Sequence, residues 1–435
     1  MSTYTNPTGT FDATAGDDTF TFTAVPSAGT TTAIDALGGH DSLLVQVAFA
    51  GAMNFDATDN GGASFTATTR FGPDDGLITV YDVESVEFDG TTNDDTFNVK
   101  LGGTTAGEFV KIDGGAGDDS LHLDVSSLTT DFSLVDGGSA IASSWGSFSN
   151  LESFEIRTGS GNDTITTGGG NDNISTGTGA DNVSAGAGND YIYSQASSGT
   201  IDGGNGYDTF SGGPVTAAAE TINVSETITF STGLTIKNIE SFGLAGGSGD
   251  DLFVDTLSAN GGSLYGGDGR DTLVYGAPSN AGIQVSVQAH SDQVEGSVGP
   301  SGNQLNFYQF ETLNITGTQY DDHFQINAYY PVSSPGISFD GDAGMDWLAA
   351  DFSHFSGAST FVVSSDSTVT SNRGHFANIE SFSLTGARRP TRSQLDPATT
   401  GFTAAAAPIT WMGALATTGS TAASTSPMTT APWTS

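Results

Sequence analysis

The chain has 435 residues, with 10 Lys and Arg against 50 Asp and Glu, a formal net charge of −40. That balance excludes nucleic-acid binding through phosphate neutralisation, since too few cations are present to displace counterions. No apolar run reaches the roughly 18 residues of a membrane-spanning helix, and the absence of cysteine excludes disulfides and thiolate sites. Of the acids, 39 are Asp and 11 are Glu, and glycine numbers 60. Short carboxylates among many glycines belong to tight turns rather than to a generic acidic surface. Leu, Ile, Val and Phe make up about a fifth of the chain, close to the level below which a highly charged chain stays unfolded. A folded chain of this composition needs something besides apolar burial to offset its self-repulsion, and a bound cation would supply it.

Taken in chain order, the N-terminus MSTYTNPTGTFDATAGDD has neither a basic region nor an apolar core, so no Sec-type signal peptide is expected. Asp17-Asp18-Thr19-Phe20 and the degenerate IDALGGHDSL from Ile34 then introduce two phrases that recur to the end of the repetitive region. A third phrase, DVESVEF from Asp82, follows, and the order of the three repeats with a period near 70 residues. The DD phrase returns at Asp94-Asp95, Asp250-Asp251 and Asp321-Asp322. The GG phrase returns intact as IDGGAGDDSL from Ile112, IDGGNGYDTF from Ile201 and LYGGDGRDTL from Leu264, and degenerate as FDGDAGMDWL from Phe339. The glutamate phrase returns at Asn150–Ile156, Asn238–Leu244, Gln309–Ile315 and Asn378–Leu384. Its glutamates, Glu84, Glu152, Glu240, Glu311 and Glu380, are 68, 88, 71 and 69 residues apart. They lie between apolar neighbours on short strand segments, which suits capping or ladder hydrogen bonds better than catalysis.

The longest gap holds four consecutive nine-residue units, Thr158 to Tyr193. Glycines recur at Gly159/Gly161, Gly168/Gly170, Gly177/Gly179 and Gly186/Gly188, and aspartates at Asp163, Asp172, Asp181 and Asp190. One apolar residue follows each aspartate two places on: Ile165, Ile174, Val183 and Ile192. Glycine permits tight turning with exposed carbonyls, aspartate supplies a hard oxygen ligand of the kind calcium takes, and the apolar residue fills one inward position of a very short strand. Stacked units would bury a thin apolar column while cations bridge successive turns. The intact GG phrases carry the same elements at Gly115, Gly117 and Asp119; Gly204, Gly206 and Asp208; and Gly267, Gly269 and Asp271.

The nonapeptide block resembles the RTX (repeats-in-toxin, haemolysin-type) unit G-G-x-G-x-D-x-U-x, with U apolar, although Thr158, Thr167, Thr176 and Ala185 stand at its first glycine. The order of the three phrases resembles large secreted bacterial proteins of the same type, and the likeness covers residues 12–386. It implies an elongated parallel β-roll or β-solenoid with calcium in its turns, Asp163 stacked with Asp181 and Asp172 with Asp190.

Between the phrases, Thr227–Phe230, Ile283–Val287 and Thr360–Val363 read as strands, and no amphipathic helix is found. The expected fold is therefore all-β, with the 27 phenylalanines filling its column. No His-Glu-x-x-His, Gly-x-Ser-x-Gly or Walker loop occurs, the six histidines have no ligand spacing, and no catalytic residues are expected. After Leu384 the composition turns to Ala, Thr, Ser and Pro, with three basic residues within Arg388–Arg392. Residues 387–435 are expected to form a separate tail, either an assembly segment or, by the resemblance, an uncleaved type I secretion signal. The expected function is a secreted calcium-binding structural subunit of a bacterial surface layer, filament or matrix, polymeric and in possible contact with cell-surface polysaccharide. The alternative is a calcium-dependent adhesin or the non-catalytic module of a secreted polysaccharide-acting enzyme.

Overall fold

Segments such as Phe97-Asn98-Val99 or Leu121-His122-Leu123 alternate apolar and polar residues. Only an extended strand, with its period of two, puts such a set on one face. The computed structural model describes residues 2–385 apart from 28, 48, 50, 60–63, 72–75, 103–108, 137–140, 144–145, 257–260, 277–279, 291–292, 329–335, 353–359, 364–368 and 372–373, together with the strands Thr391–Gln394, Phe402–Ala404 and Ile409–Trp411. Among the described residues every regular element is a strand, so none crosses a membrane as a helix. The strands form two sheets, one of 23 and one of 20.

Through the nonapeptide block, successive strands alternate between the sheets and each pairs in parallel with the strand two places on. Thr164–Thr166 lies beside Ala180–Ala187, and Asn173–Thr176 beside Tyr191–Ser194. The core lies between the sheets, where phenylalanines of one meet those of the other. Phe88 sits 4.7 Å from Phe55 and 5.0 Å from Phe97, and Phe324 stacks 4.9 Å from Phe339.

Parallel pairing is interrupted by five antiparallel meanders of three strands. One comprises Thr221–Val224, Thr227–Phe230 and Leu234–Lys237. Its first strand pairs in parallel with the later Leu252–Asp255, and its third with the earlier Ser198–Asn205. The chain therefore lays a strand ahead of itself and turns back to fill the gap. The other meanders end at Val83, Ser149, Phe310 and Ala377, so each of the five runs directly into a glutamate phrase. The expected strands Thr227–Phe230, Ile283–Val287 and Thr360–Val363 are meander strands, the second extending to His290. Parallel pairing also continues past residue 386: Thr391–Gln394 joins Thr360–Val363, Phe402–Ala404 joins Ser381–Thr385, and Ile409–Trp411 joins Thr391–Gln394. The rest of the expected tail lies outside the described residues.

Candidate metal centre

The glycines singled out in the block stack in columns. An ideal Cβ on Gly186 or Gly204 would stand 2.0 Å from the carbonyl oxygen of Gly168 or Gly186, the glycine one rung before. Gly188 and Gly206 stand in the same way on Gly170 and Gly188, Gly177 on Gly159, and Gly179 on Gly161, all at 1.6–2.0 Å or less than a bond's tolerance for a side chain. Outside the block, Gly267 and Gly269 stand on Gly247 and Gly249, and Gly115 on Thr91. The turns therefore consist of bare main chain, with carbonyl groups at close spacing.

Each aspartate closes such a turn and folds its carboxylate back beneath it, where it is almost wholly buried. Its Oδ1 accepts the N–H of the aspartate one rung before. Asp163 N–H donates to Asp181 (2.9 Å), Asp172 to Asp190 (2.8 Å) and Asp190 to Asp208 (2.9 Å). The block's aspartates thus stack in the two expected columns, and the second continues to Asp208. Asp119 and Asp271 belong to separate ladders, accepting from Asp95 (2.7 Å) and Asp251 (2.8 Å). A parallel, exposed ladder is built by the preceding residue: Asn162 accepts from Ala180, Asn171 from Asn189, and Asp94 from Asp118. This accounts for the Asn-Asp and Asp-Asp pairs.

Five ladders reach a meander where no further aspartate follows, and there the glutamate phrase takes over, whereas the Asp163–Asp181 column has no such glutamate. The N–H groups of Asp41, Asp119, Asp208, Asp271 and Asp346 donate to Oε2 of Glu84, Glu152, Glu240, Glu311 and Glu380 at 2.6–2.9 Å. The glutamates are ladder acceptors, as their setting in the sequence suggested. The first residue of the same phrase, Asp82, Asn150, Asn238, Gln309 or Asn378, lies in the left-handed region with φ of 51–60°, a conformation Asn and Asp tolerate best among residues with a side chain.

The second carboxylate oxygen is different. Among the described residues, Oδ2 of Asp41, Asp119, Asp163, Asp172, Asp181, Asp190, Asp208, Asp251, Asp271 and Asp346 is buried without a hydrogen-bond partner. Three DD-phrase aspartates escape this, because Oδ2 of Asp18, Asp95 and Asp322 accepts the N–H of Thr14, Thr91 and Thr318, four residues back. In eight of the ten orphans the residue four back has a positive φ. At Gly115, Leu37 and Asp342 the N–H donates instead to Asp113, Asp35 and Asp340. The left-handed residue takes away the only local donor. At the first glycine of the phrase the orphan oxygen and a main-chain carbonyl both close in on the Cα, leaving no room for a side chain. A Cβ on Gly114 would lie 2.7 Å from Asp119 Oδ2 and 1.9 Å from the Asn150 carbonyl oxygen, and Gly203, Gly266 and Gly341 border equivalent pairs.

Asp41, Asp251 and Asp346 were absent from the sequence-derived ligand set yet hold the same orphan atom. For Asp251 the signal was present, since Gly246-Gly247-Ser248-Gly249 precedes it as a GG phrase. For Asp41 and Asp346 it was obscured by Leu37 and Asp342, which occupy the left-handed position at φ 70° and 65° without being glycine.

Burial raises the carboxyls of Asp41, Asp181, Asp190 and Asp208 above the usual range. It pushes Asp172 and Asp346 to about 7, and Asp119, Asp251 and Asp271 to about 6. Neighbouring carboxylates add to the shift. A buried carboxylate oxygen without a partner is costly, and a cation or a proton removes that cost. The donors at hand are carboxylate and carbonyl oxygens, the hard set that calcium takes. Among the described residues no three His, Asp or Glu side chains converge. Such an ion would be held by one or two carboxylates with main-chain carbonyls completing the shell. In the block, Thr167 stands at the first-glycine position and its hydroxyl donates to the Ala185 carbonyl (2.8 Å), tying one rung to the next. No protein-family model matches this chain, and no curated protein matches it.

Proposed function

We propose that the chain is a calcium-folded β-solenoid of the repeats-in-toxin type, secreted and serving as a structural subunit at a bacterial surface. The alternation of strands between two long parallel-rich sheets supports the solenoid. The observation that carries calcium is the set of ten buried, partnerless Asp Oδ2 atoms, those of Asp119, Asp208, Asp251, Asp271 and Asp346 standing beside a main-chain carbonyl oxygen at the first glycine of the turn. Repetition through the described length, with no insertion that could house a separate catalytic domain, favours a structural role and assigns no catalytic step. A chain of −40 net charge with empty carboxylate turns is expanded by self-repulsion. Extracellular calcium, with dissociation constants of about 10⁻⁴ to 10⁻³ M for sites of this type, folds it by mass action. Such a chain is exported unfolded and stiffens outside the cell.

Circular dichroism and light scattering in chelator, then in rising calcium, test this. The expected result is a calcium-dependent gain of β signal, followed by ordered sheets or filaments. A β signal of full strength in chelator would sink calcium-coupled folding. A compact monomer in calcium would remove the structural assembly.

A further inference from the structure

The two outer faces of the molecule differ. Among the described residues, the exposed Tyr and Trp side chains borne on strands are Tyr81, Tyr191, Tyr193, Tyr265 and Trp347, and all five belong to the 20-stranded sheet. The strands of the other sheet expose no Tyr or Trp; they expose Phe109 and Val135, and elsewhere present Thr and Ser, as at Thr164, Thr166 and Ser184. Five Tyr and Trp rings gathered on one face of a strongly charged chain mark a contact surface.

On that same face lies a cleft of about 460 Å³. Tyr193, Gln195 and the segment from Pro214 to Ala217 line it around a floor of Gly212, Gly213 and Ala245. Gln195 Nε2 donates to the Tyr193 hydroxyl (3.0 Å), which sets the amide at the ring's edge. The floor is low because its residues are glycine and alanine. Beyond it, Ala245 pairs with Tyr265 and Tyr265 with Tyr308, whose rings stack 5.0 Å apart at 13°. The strand of Tyr193 is three pairings from that of Tyr265, roughly 14 Å at about 4.8 Å per strand. The rings thus lie in a line across the strands, a trough with Tyr193 in the lining of the cleft and the Tyr265–Tyr308 pair outside that lining on the same face.

No charged residue lines the cleft, although the chain carries −40. A second cavity on the same sheet, of about 250 Å³, is the opposite: its Lys100 and Arg157 are already paired with Asp124 and Glu155. We propose that the uncharged trough binds a neutral polysaccharide chain, one sugar against Tyr193 and a later one against Tyr265 and Tyr308. A pyranose presents C–H groups on its face and hydroxyls around its rim. An exposed tyrosine ring matches the face, and Gln195, Thr216 and Ser248 can hydrogen-bond to the rim. A carboxylated glycan meets the repulsion of the whole molecule; a neutral one does not. This binding goes beyond the structural role proposed above and does not depend on it.

The test uses the full chain in calcium, titrated calorimetrically with neutral glucan and mannan hexasaccharides and with a uronate hexasaccharide. At least one neutral hexasaccharide is expected to bind, with the uronate at least tenfold weaker. Tyr193→Ala should weaken binding tenfold or more. The double change Tyr265→Ala and Tyr308→Ala should weaken the hexasaccharide but leave a trisaccharide unaffected. Tyr207→Ala, on an exposed turn, should change nothing. The proposal is overturned if no neutral glycan binds, if the uronate binds as tightly, or if Tyr193→Ala is silent. Circular dichroism of each variant in calcium separates these outcomes from a failure of calcium-coupled folding.

Discussion

An aspartate whose Oδ1 holds a main-chain N–H while its Oδ2 meets nothing is a ligand waiting for a positive charge, and the smallest one available is a proton. Asp172 shows the competition most clearly, since its carboxyl is pushed to about 7 by burial. Without metal, the unfolded chain releases this proton near its ordinary value of 3.8, whereas the folded chain keeps it to about 7. Between those values the native state binds more protons, so stability is highest at the acid end and is lost as pH rises through the folded value. With calcium the sign reverses, because the ion binds the ionised form and protons compete with it. Asp172→Asn separates the two effects: the amide oxygen still accepts the Phe154 N–H, which Oδ1 now does at 2.9 Å, and no charge is buried. In chelator at pH 7.5 this variant should be stabilised by at least about 1 kcal/mol, less than one pK unit's worth, while its calcium midpoint rises. Osmolyte-driven refolding in chelator and a calcium titration of the β signal check both. A variant that is destabilised in chelator would show that the carboxylate was not under strain there.

At the scale of the element, the strands were legible because alternation marks them directly, and the turns were legible because glycine and aspartate repeat at fixed spacing. The meanders were not. An antiparallel strand such as Thr227–Phe230 alternates in the same way as a parallel one, so pattern alone gives no direction of pairing. The sequence did carry their position in the glutamate phrase, but only the structure explains it. Where a meander interrupts the stack, Glu240 replaces the missing next aspartate and takes the Asp208 N–H from below. The longer side chain spans the step that the aspartate ladder cannot. Glu240→Ala should therefore leave a half-buried N–H unpaired and cost about 1–3 kcal/mol. Glu240→Gln, which keeps an acceptor oxygen, should cost under half as much. Equilibrium denaturation in calcium measures both. Equal losses would mean that the charge of Glu240, rather than its acceptor, is what the site uses.

For the whole molecule, the order of stacking matters more than the identity of any one rung, because each rung touches mainly its two neighbours. In the block the partners are separated by 18 residues, from Asp163 to Asp181 and from Asp172 to Asp190. A segment of that length adds one strand to each sheet and one turn to each column, then returns the chain to the same place. Deleting residues 176–193 should thus bring Ser198–Asn205 against Thr164–Thr166 and Thr209–Gly212 against Asn173–Ser175 continued by Ser194, with Oδ1 of Asp208 accepting the Asp172 N–H. The shortened chain should keep its β signal and fold at nearly the same calcium concentration, with fewer ions bound. Deleting 176–189 removes part of the same segment but cuts inside the turn from Gly186 to Asp190, leaving Asp190 without the glycines that give its carboxylate room. That chain should need more calcium and melt lower. The comparison is made by circular dichroism with ion counting in native mass spectrometry. If both deletions behave alike, stability does not come from the register of the columns, and apolar contact between the sheets alone holds the stack together.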